Sequence, residues 1–589
     1  MTNQTAWCVR VSLLALGCLG AGARSTAAAP HTGEIMTMEQ PDGSQVDVRL
    51  FGDEFYARGE SLDGYTVMRD PRTGAICYAA LNGDSTEWVS TGMVYHGGSL
   101  APSSPSLAGS ALGGIDPGQD LKREARHRIR SRAIRELGLE AGDAGQIDGS
   151  DRLKPLGKIA SSSARSAASA GDSILKVTGV IVLVDFPDVP ATIPKEQIGD
   201  MANLNGFKVN GNNGSIRDYF LDVSHGKFEY NLEVTDYYTA RYTKDYYDRD
   251  DGYAGALELI KETLQALHEK GYDFSKLSLS STGRVRSVNV LFAGSAGKVW
   301  AQGLWAHRGN IPTLTFDGVR LSGYMLAYIG SALTIGTFVH ESGHLIFGWP
   351  DLYDYDSDSR GIGSYCLMSG QHAKNPQPPN AYLRADAGWE PILDLKAGAN
   401  GSVPVASNGR ATYVYGNPRY LQEAYVIENV AKKGRWANMP DEGLMVWHVD
   451  ENGDNSLQDR TPSRHYSVSV VQADGKFDLE SNVNGGGAND LFHLGNNDAL
   501  TAQTVPDSRW WDGSESGLSL IHISAVQDTM TFQIEGGMVG LAGKPGDSGT
   551  SRIRRRQAKA GYAWRLDGRR VWVPTAAGAK PAPEFSLWR

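Results

Sequence analysis

Residues 177–185 read VTGVIVLVD, an apolar run of strand length with no polar face. Such a strand must be covered on both sides, as in a sheet held between two layers. The flanking sequence supplies the cover. Residues 253–271 have the periodicity of an amphipathic helix, 285–292 read as a second buried strand, and 332–347 as a further helix. This helix-and-strand organisation predicts one domain over 175–393. Beyond it, strand-like runs recur at 424–430, 443–449, 466–471, 518–523 and 529–534, separated by Gly, Asn and Asp loops. They predict a β-sandwich over 394–537, and an α+β fold class for the whole.

Upstream, 34–97 alternates apolar and polar residues between turn signals such as Pro41-Asp42-Gly43 and Asp63-Gly64. Val46-Asp47-Val48-Arg49-Leu50 has the period of two of a half-buried strand, so 30–98 is expected to be a small β-rich domain. Residues 99–174 are rich in Ser, Ala, Gly and Pro and read as a linker. Within it, 122–135 holds seven Lys or Arg against one Glu, the pattern of a solvated basic helix. At the N-terminus, Arg10, an apolar stretch over 11–23 and small residues at 25–29 form a secretory signal, giving 1–29 as a signal peptide and an extracellular destination.

The net charge is −10; in the basic tail expected over 538–589, residues 540–589 carry +8, so the first 539 residues carry −18, and the chain is not expected to bind nucleic acid. No apolar run approaches the ~20 residues that span a bilayer, so no stable membrane insertion is expected. Asp567-Gly568 suits a hairpin turn in a tail that is otherwise expected to be disordered. With Cys8 and Cys18 in the leader, Cys77 and Cys366 remain, and both read as small buried thiols.

One segment carries chemistry: Thr337-Phe-Val-His340-Glu341-Ser-Gly-His344-Leu-Ile-Phe-Gly348-Trp-Pro-Asp351. His340 and His344 lie one helical turn apart, so both imidazoles leave one face and can share a metal ion. Glu341 can reach a water on that metal without ligating it. Gly348 is placed to end the helix in a left-handed turn, Pro350 cannot continue it, and Asp351 is carried back as a third ligand. With 13 histidines in the chain, a chance His-Glu-x-x-His arises in on the order of one such sequence in 70, and the later Gly and Asp make chance rarer still. Downstream, Ser364-Tyr-Cys-Leu-Met368-Ser-Gly370 offers a methionine in a tight turn that can pack beneath the histidines.

The extended motif with its downstream methionine resembles the secreted immune inhibitor A-like metallopeptidases, a metzincin-type family. Further segments share the resemblance: Ser215-Ile-Arg-Asp-Tyr-Phe, Ser224-His-Gly-Lys-Phe, Trp305-Ala-His307-Arg, Asp351-Leu-Tyr-Asp-Tyr-Asp, Gly443-Leu-Met-Val-Trp-His-Val-Asp450 and Gln472-Ala-Asp474-Gly. Together they cover about 177–534. The resemblance implies a metzincin-like catalytic domain, zinc held by His340, His344 and Asp351, Glu341 as general base, and an N-terminal prosegment. The tyrosine that many metzincins place two residues after the methionine is Gly370 here; Tyr365, His372 and Tyr382 are the candidates for steadying an oxyanion.

Two imidazoles and a carboxylate suit zinc better than calcium or magnesium. Asp354, Asp356 and Asp358 mimic the first half of a calcium loop, with Ser359 where its glycine belongs, so a structural Ca2+ and a solvated acidic loop stand level. The expectation is a secreted zinc endopeptidase, made as a zymogen and acting as a monomer on protein or peptide substrates. A catalytically silent surface-binding protein and a zinc hydrolase of a non-protein amide are the alternatives. Gly546-Asp547-Ser548-Gly549 resembles a serine-protease nucleophile segment but lacks any framework to bury it.

Overall fold

The computed structural model describes residues 31–97, eight residues between 121 and 137, residues 174–534 with short breaks, and two strands near the C-terminus. The breaks are 54–55, 250–251, 296–302, 356, 396–399 and 405–411. The expected signal peptide, most of the linker, Asp356, the Asp567-Gly568 turn and the 546–549 segment lie outside the described residues. The molecule is mixed α and β, with several sheets and few helices.

The N-terminal sheet is an antiparallel meander of six strands in chain order: β1 (His31–Glu39), β2 (Gln45–Gly52), β3 (Ala57–Ser61), β4 (Thr66–Arg69), β5 (Ile76–Leu81) and β6 (Trp88–Val94). Val46, Val48 and Leu50 alternate inward along β2, as period two requires. They pack with Val67, Ile76, Tyr78 and Tyr95, and also with Leu137, Tyr253 and Trp305 from beyond the sheet.

The central sheet has six strands. β7 (Leu175–Asp185) lies between β8 (Phe228–Val234) and β10 (Val288–Ala293), with short β9 (Tyr238–Thr239) also on β7. β12 (Val319–Ile329) follows β10, and β11 (His307–Phe316) closes the far edge. The neighbours along β8-β7-β10-β12 are parallel and β11 is antiparallel, so the sheet is mixed.

The apolar run of β7 is buried on both faces. Val177, Ile181 and Leu183 join the core under α1 (Lys195–Asn203), α2 (Ile216–Val223) and α5 (Gly336–Ser342). Val180, Val182 and Val184 face the short α3 (Lys244–Tyr247) and the long α4 (Ala254–Glu269). Ser215 caps α2 reciprocally with Asp218, which fixes where Tyr219 and Phe220 enter the core.

Past α6 (Ala381–Asp386) come two more sheets. A five-stranded sheet orders β13 (Ile392–Asp394), β15 (Thr412–Gly416), β16 (Glu423–Val430), β17 (Gly443–Asp450) and β18 (Val468–Val470). A three-stranded sheet orders β14 (Asn400–Pro404), β20 (Thr529–Ile534) and β19 (Leu520–Ile521). Tyr425, Ile427, Leu444 and Val446 meet Leu520, Met530 and Phe532 across one core. On its other face the larger sheet sends Val426, Met445, Trp447 and Val449 into the same core as Phe338 and Met368. Every residue of β16 and β17 is buried.

All described residues up to 534 belong to one compact unit, and β21 (Gly561–Trp564) and β22 (Arg570–Val573) pair antiparallel within a second.

Candidate metal centre

α5 starts at Gly336, four residues later than the apolar periodicity suggests. Gly336 donates its N–H to the Ala373 carbonyl (2.8 Å), and a Cβ there would stand 2.7 Å from Ala373 Cα, so the helix begins where two backbones touch. Residues 343–347 then widen into a π turn, Gly343–Phe347, which ends at Gly348 with φ 68°. The left-handed glycine is where the sequence places it; the π turn carries no sequence signal and is common at functional sites.

This helix sets His340 and His344 side by side. Their Nε2 atoms are 3.1 Å apart, and each lies 3.1 Å from Asp351 Oδ1. His340 Nδ1 donates to the Leu367 carbonyl (3.0 Å) and His344 Nδ1 to the Trp349 carbonyl (2.6 Å). With their ring protons committed there, both Nε2 atoms present lone pairs, and the Asp351 oxygen they face has no hydrogen-bond donor. Three buried acceptors at this separation repel one another unless a cation lies among them. The centre of such a triangle is ~1.8 Å from each corner, close to the ~2.0–2.2 Å of nitrogen and oxygen ligation. Among the described residues, His340, His344 and Asp351 are the one group of this kind, so the site can hold a metal ion.

The supports come from the segment after the helix. Met368 packs under the centre: a Cβ on Gly343 would meet its Sδ at 2.8 Å. Cys366 Sγ accepts the N–H groups of Met368 (3.4 Å) and Asn380 (3.3 Å), which shapes the methionine turn. Tyr355 donates its hydroxyl to the Asp351 carbonyl (3.1 Å), and Asn455 bonds the same oxygen.

Glu341 is fully buried, and both its carboxylate oxygens are enclosed without a hydrogen bond. Burial pushes its carboxyl above the ordinary range, opposed by His344 and His340. Asp351 is driven the other way: the two histidines outweigh burial and hold it far below the usual carboxylate value. A buried carboxylate left without a donor costs stability, so its retention points to a ligand or a proton it handles.

The oxyanion candidates fare differently. Tyr365 donates its hydroxyl to Asp490 (2.8 Å) and Tyr382 to Glu451 (3.4 Å), so both are engaged elsewhere. His372 donates its backbone N–H to Gln377 (2.9 Å), and burial lowers its ring pKa. In the acidic loop, Asp354 is buried and accepts the Ser359 hydroxyl, and Asp358 accepts from Gln458 (2.5 Å). Cys77 and Cys366 are unpaired and buried, as expected. Cys77 sits inside β5, paired with Met68 and Val94.

The basic stretch at 122–135 is not the solvated helix its charge suggests. Arg130 is 8% exposed, pairs with Asp53 of the N-terminal domain, and stacks on the Tyr355 ring (3.6 Å). Ala125, Ala133 and Leu137 are also buried, and the Leu137 carbonyl accepts the Asn310 N–H of edge strand β11 (2.9 Å). Asp53 is 77 residues from Arg130, so the sequence gives no local sign of the pairing.

No family model matches the chain, and no curated protein matches it.

Proposed function

We propose that the chain is a secreted zinc-dependent endopeptidase of the immune inhibitor A-like, metzincin type. One observation carries the reading: three buried acceptor atoms converge beside a fully buried carboxylate that has no hydrogen-bond donor. His340, His344 and Asp351 hold zinc, oriented by the Leu367 and Trp349 carbonyls. Bound zinc supplies a Lewis acid that makes water more acidic and polarises a peptide carbonyl. Glu341 takes the proton of the attacking water and returns it to the leaving amine, and its raised affinity for protons suits a group that must hold one between those steps. The apolar wall of Phe338, Val339, Leu345 and Ile346 keeps bulk water from the charges.

The enzyme is made as a zymogen. The support is the position of the N-terminal segment: Arg130 lies on Tyr355, four residues past Asp351, and Leu137 occupies the outward hydrogen bond of β11 where a substrate strand would add. Cutting between this segment and Leu175 releases both contacts. The leader at 1–29 directs export.

Casein zymography with and without a chelator tests the activity: a band lost with chelator and restored by zinc is expected. A folded, zinc-loaded protein without activity on proteins overturns the reading. N-terminal sequencing of the active species tests latency, with a start between about 138 and 177 expected; an active form beginning near Ala29 sinks it.

A further inference from the structure

β11 forms the edge of the central sheet, outside the β12 strand that packs against α5, and its register fixes where each side chain goes. His307 pairs with Leu326, whose side chain belongs to the core under α4. Arg308 pairs with Met325, which belongs to the core under α5, so Arg308 leaves the strand on the metal-site face. Asn310 lies on that face too: its Oδ1 and Leu345 Cδ1, from the π turn, both stand within 3.5 Å of the place a Gly323 Cβ would take.

Arg308 is chemically unfinished. Its Nε is enclosed without an acceptor, and among the described residues it makes no ion pair. Burial draws its pKa down to about 10, and the charge that most opposes this is Glu341, followed by Tyr324. The register sets the guanidinium on the sheet face that packs against the helix carrying Glu341, and each of the two groups lacks a hydrogen-bonding partner among the described residues. An arginine donor enclosed in this way calls for an acceptor that arrives with a ligand. The neighbouring Asn310 N–H, two residues along the same edge, already holds a backbone carbonyl, that of Leu137. A polypeptide lying on β11 therefore passes directly by Arg308.

We propose that Arg308 donates to the carbonyl oxygen of the scissile peptide as that oxygen becomes negative, the role that the engaged hydroxyls of Tyr365 and Tyr382 do not fill. The inference rests on the peptidase reading. The water oxygen bonds to the carbonyl carbon while its proton passes to Glu341, and the carbonyl oxygen takes the negative charge opposite Arg308. On collapse the C–N bond breaks and Glu341 returns the proton to the nitrogen. Arg308 keeps its own protons throughout. A cation fixed before the reaction, with its Nε already shielded from water, stabilises developing charge without reorganising.

The test compares wild type, Arg308→Lys and Arg308→Gln enzyme recovered from culture medium, each with its zinc content and melting temperature measured. Fluorogenic peptides with and without an acidic residue near the cleaved bond give kcat and KM. A phosphinic peptide, tetrahedral and charged, gives a dissociation constant by calorimetry that needs no turnover. Arg308→Gln is expected to lower kcat on the order of 10²–10³-fold on every peptide, with KM little changed. Phosphinic peptide affinity should fall in parallel, zinc content should hold, and Arg308→Lys should retain part of the rate. A kcat near wild type overturns the proposal. So does a rise in KM confined to acidic peptides, which would make Arg308 a reader of substrate side chains, and so does loss of zinc or folding in both variants. A zinc-loaded wild type that neither cleaves peptides nor binds the phosphinic peptide overturns the peptidase reading itself.

Discussion

Two arginine–carboxylate groupings stand in this molecule, one fully buried and one partly exposed through its arginine, and they are opposites in completeness. Arg384, on α6, donates to Glu390 Oε1 (2.7 Å), Glu428 Oε2 (2.7 Å) and the Pro379 carbonyl (2.5 Å). Glu428 also takes the Trp447 indole N–H (2.8 Å) and the Ala381 N–H (3.1 Å), and Glu390 takes the Thr412 hydroxyl (2.5 Å). Arg308 and Glu341 are the counterpart, and neither has a hydrogen-bonding partner. The first cluster ties α6 to β15, β16 and β17, and it needs no ligand. In the second, the enclosed Glu341 carboxylate is a standing cost to stability, beside a group that can hold a metal ion. Satisfied buried charge marks structure here, and unsatisfied buried charge marks chemistry.

Breaking each cluster should give opposite results. Glu341→Gln is expected to reduce proteolysis by on the order of 10³-fold or more, with zinc content unchanged and the melting temperature level or raised. A variant that kept substantial turnover would remove Glu341 from the role of base. Arg384→Met should leave activity per folded molecule intact but cost about 3–5 kcal/mol in urea unfolding, because two carboxylates lose their buried cation.

Acid titration sharpens the contrast. Burial opposes ionisation of Glu390, yet Arg384 and its other donors hold its pKa down to about 2, against 4.5 when unperturbed. Because the folded value is the lower one, this stabilisation is complete above about pH 4.5 and drains away as pH falls towards 2, amounting to about 3 kcal/mol. Wild type should lose stability across that window, and Glu390→Gln should show a flatter profile in acid unfolding followed by circular dichroism. The smallest effect is expected at Gly343→Ala, whose new methyl presses on Met368 Sδ at 2.8 Å and on the Trp349 ring at 3.0 Å. A loss of about 10-fold in zinc affinity, read by chelator competition, is the expected result.

Much of this was legible in the sequence where the signal is local. The spacing of His340, His344, Gly348 and Asp351 lies within a dozen residues, and the structure brings the two histidines and the aspartate together as that spacing implies. The unbroken apolar run of β7 also announced a sheet with two covered faces. What stayed hidden depends on distant partners. Arg130 reads as one cation in a solvated run because Asp53 and Tyr355, which bury it, are far away in the chain. Arg308 stands within a quoted segment, but its face is set by pairing with Met325, and register across strands leaves no trace in a single sequence. The late start of α5 likewise follows from contact with Ala373 rather than from periodicity.

The five-stranded sheet has one further consequence, for inheritance. A segment that can be shuffled between genes must carry a core of its own. This sheet divides its side chains between two cores, one of which also contains Phe338 and Met368. A cut near residue 393 would strip apolar cover from the floor of the metal site and leave the downstream strands with one bare face. Recombination that preserves the fold therefore has to move 174–534 together, and a gene fragment ending at α6 should yield insoluble protein whatever the state of its histidines.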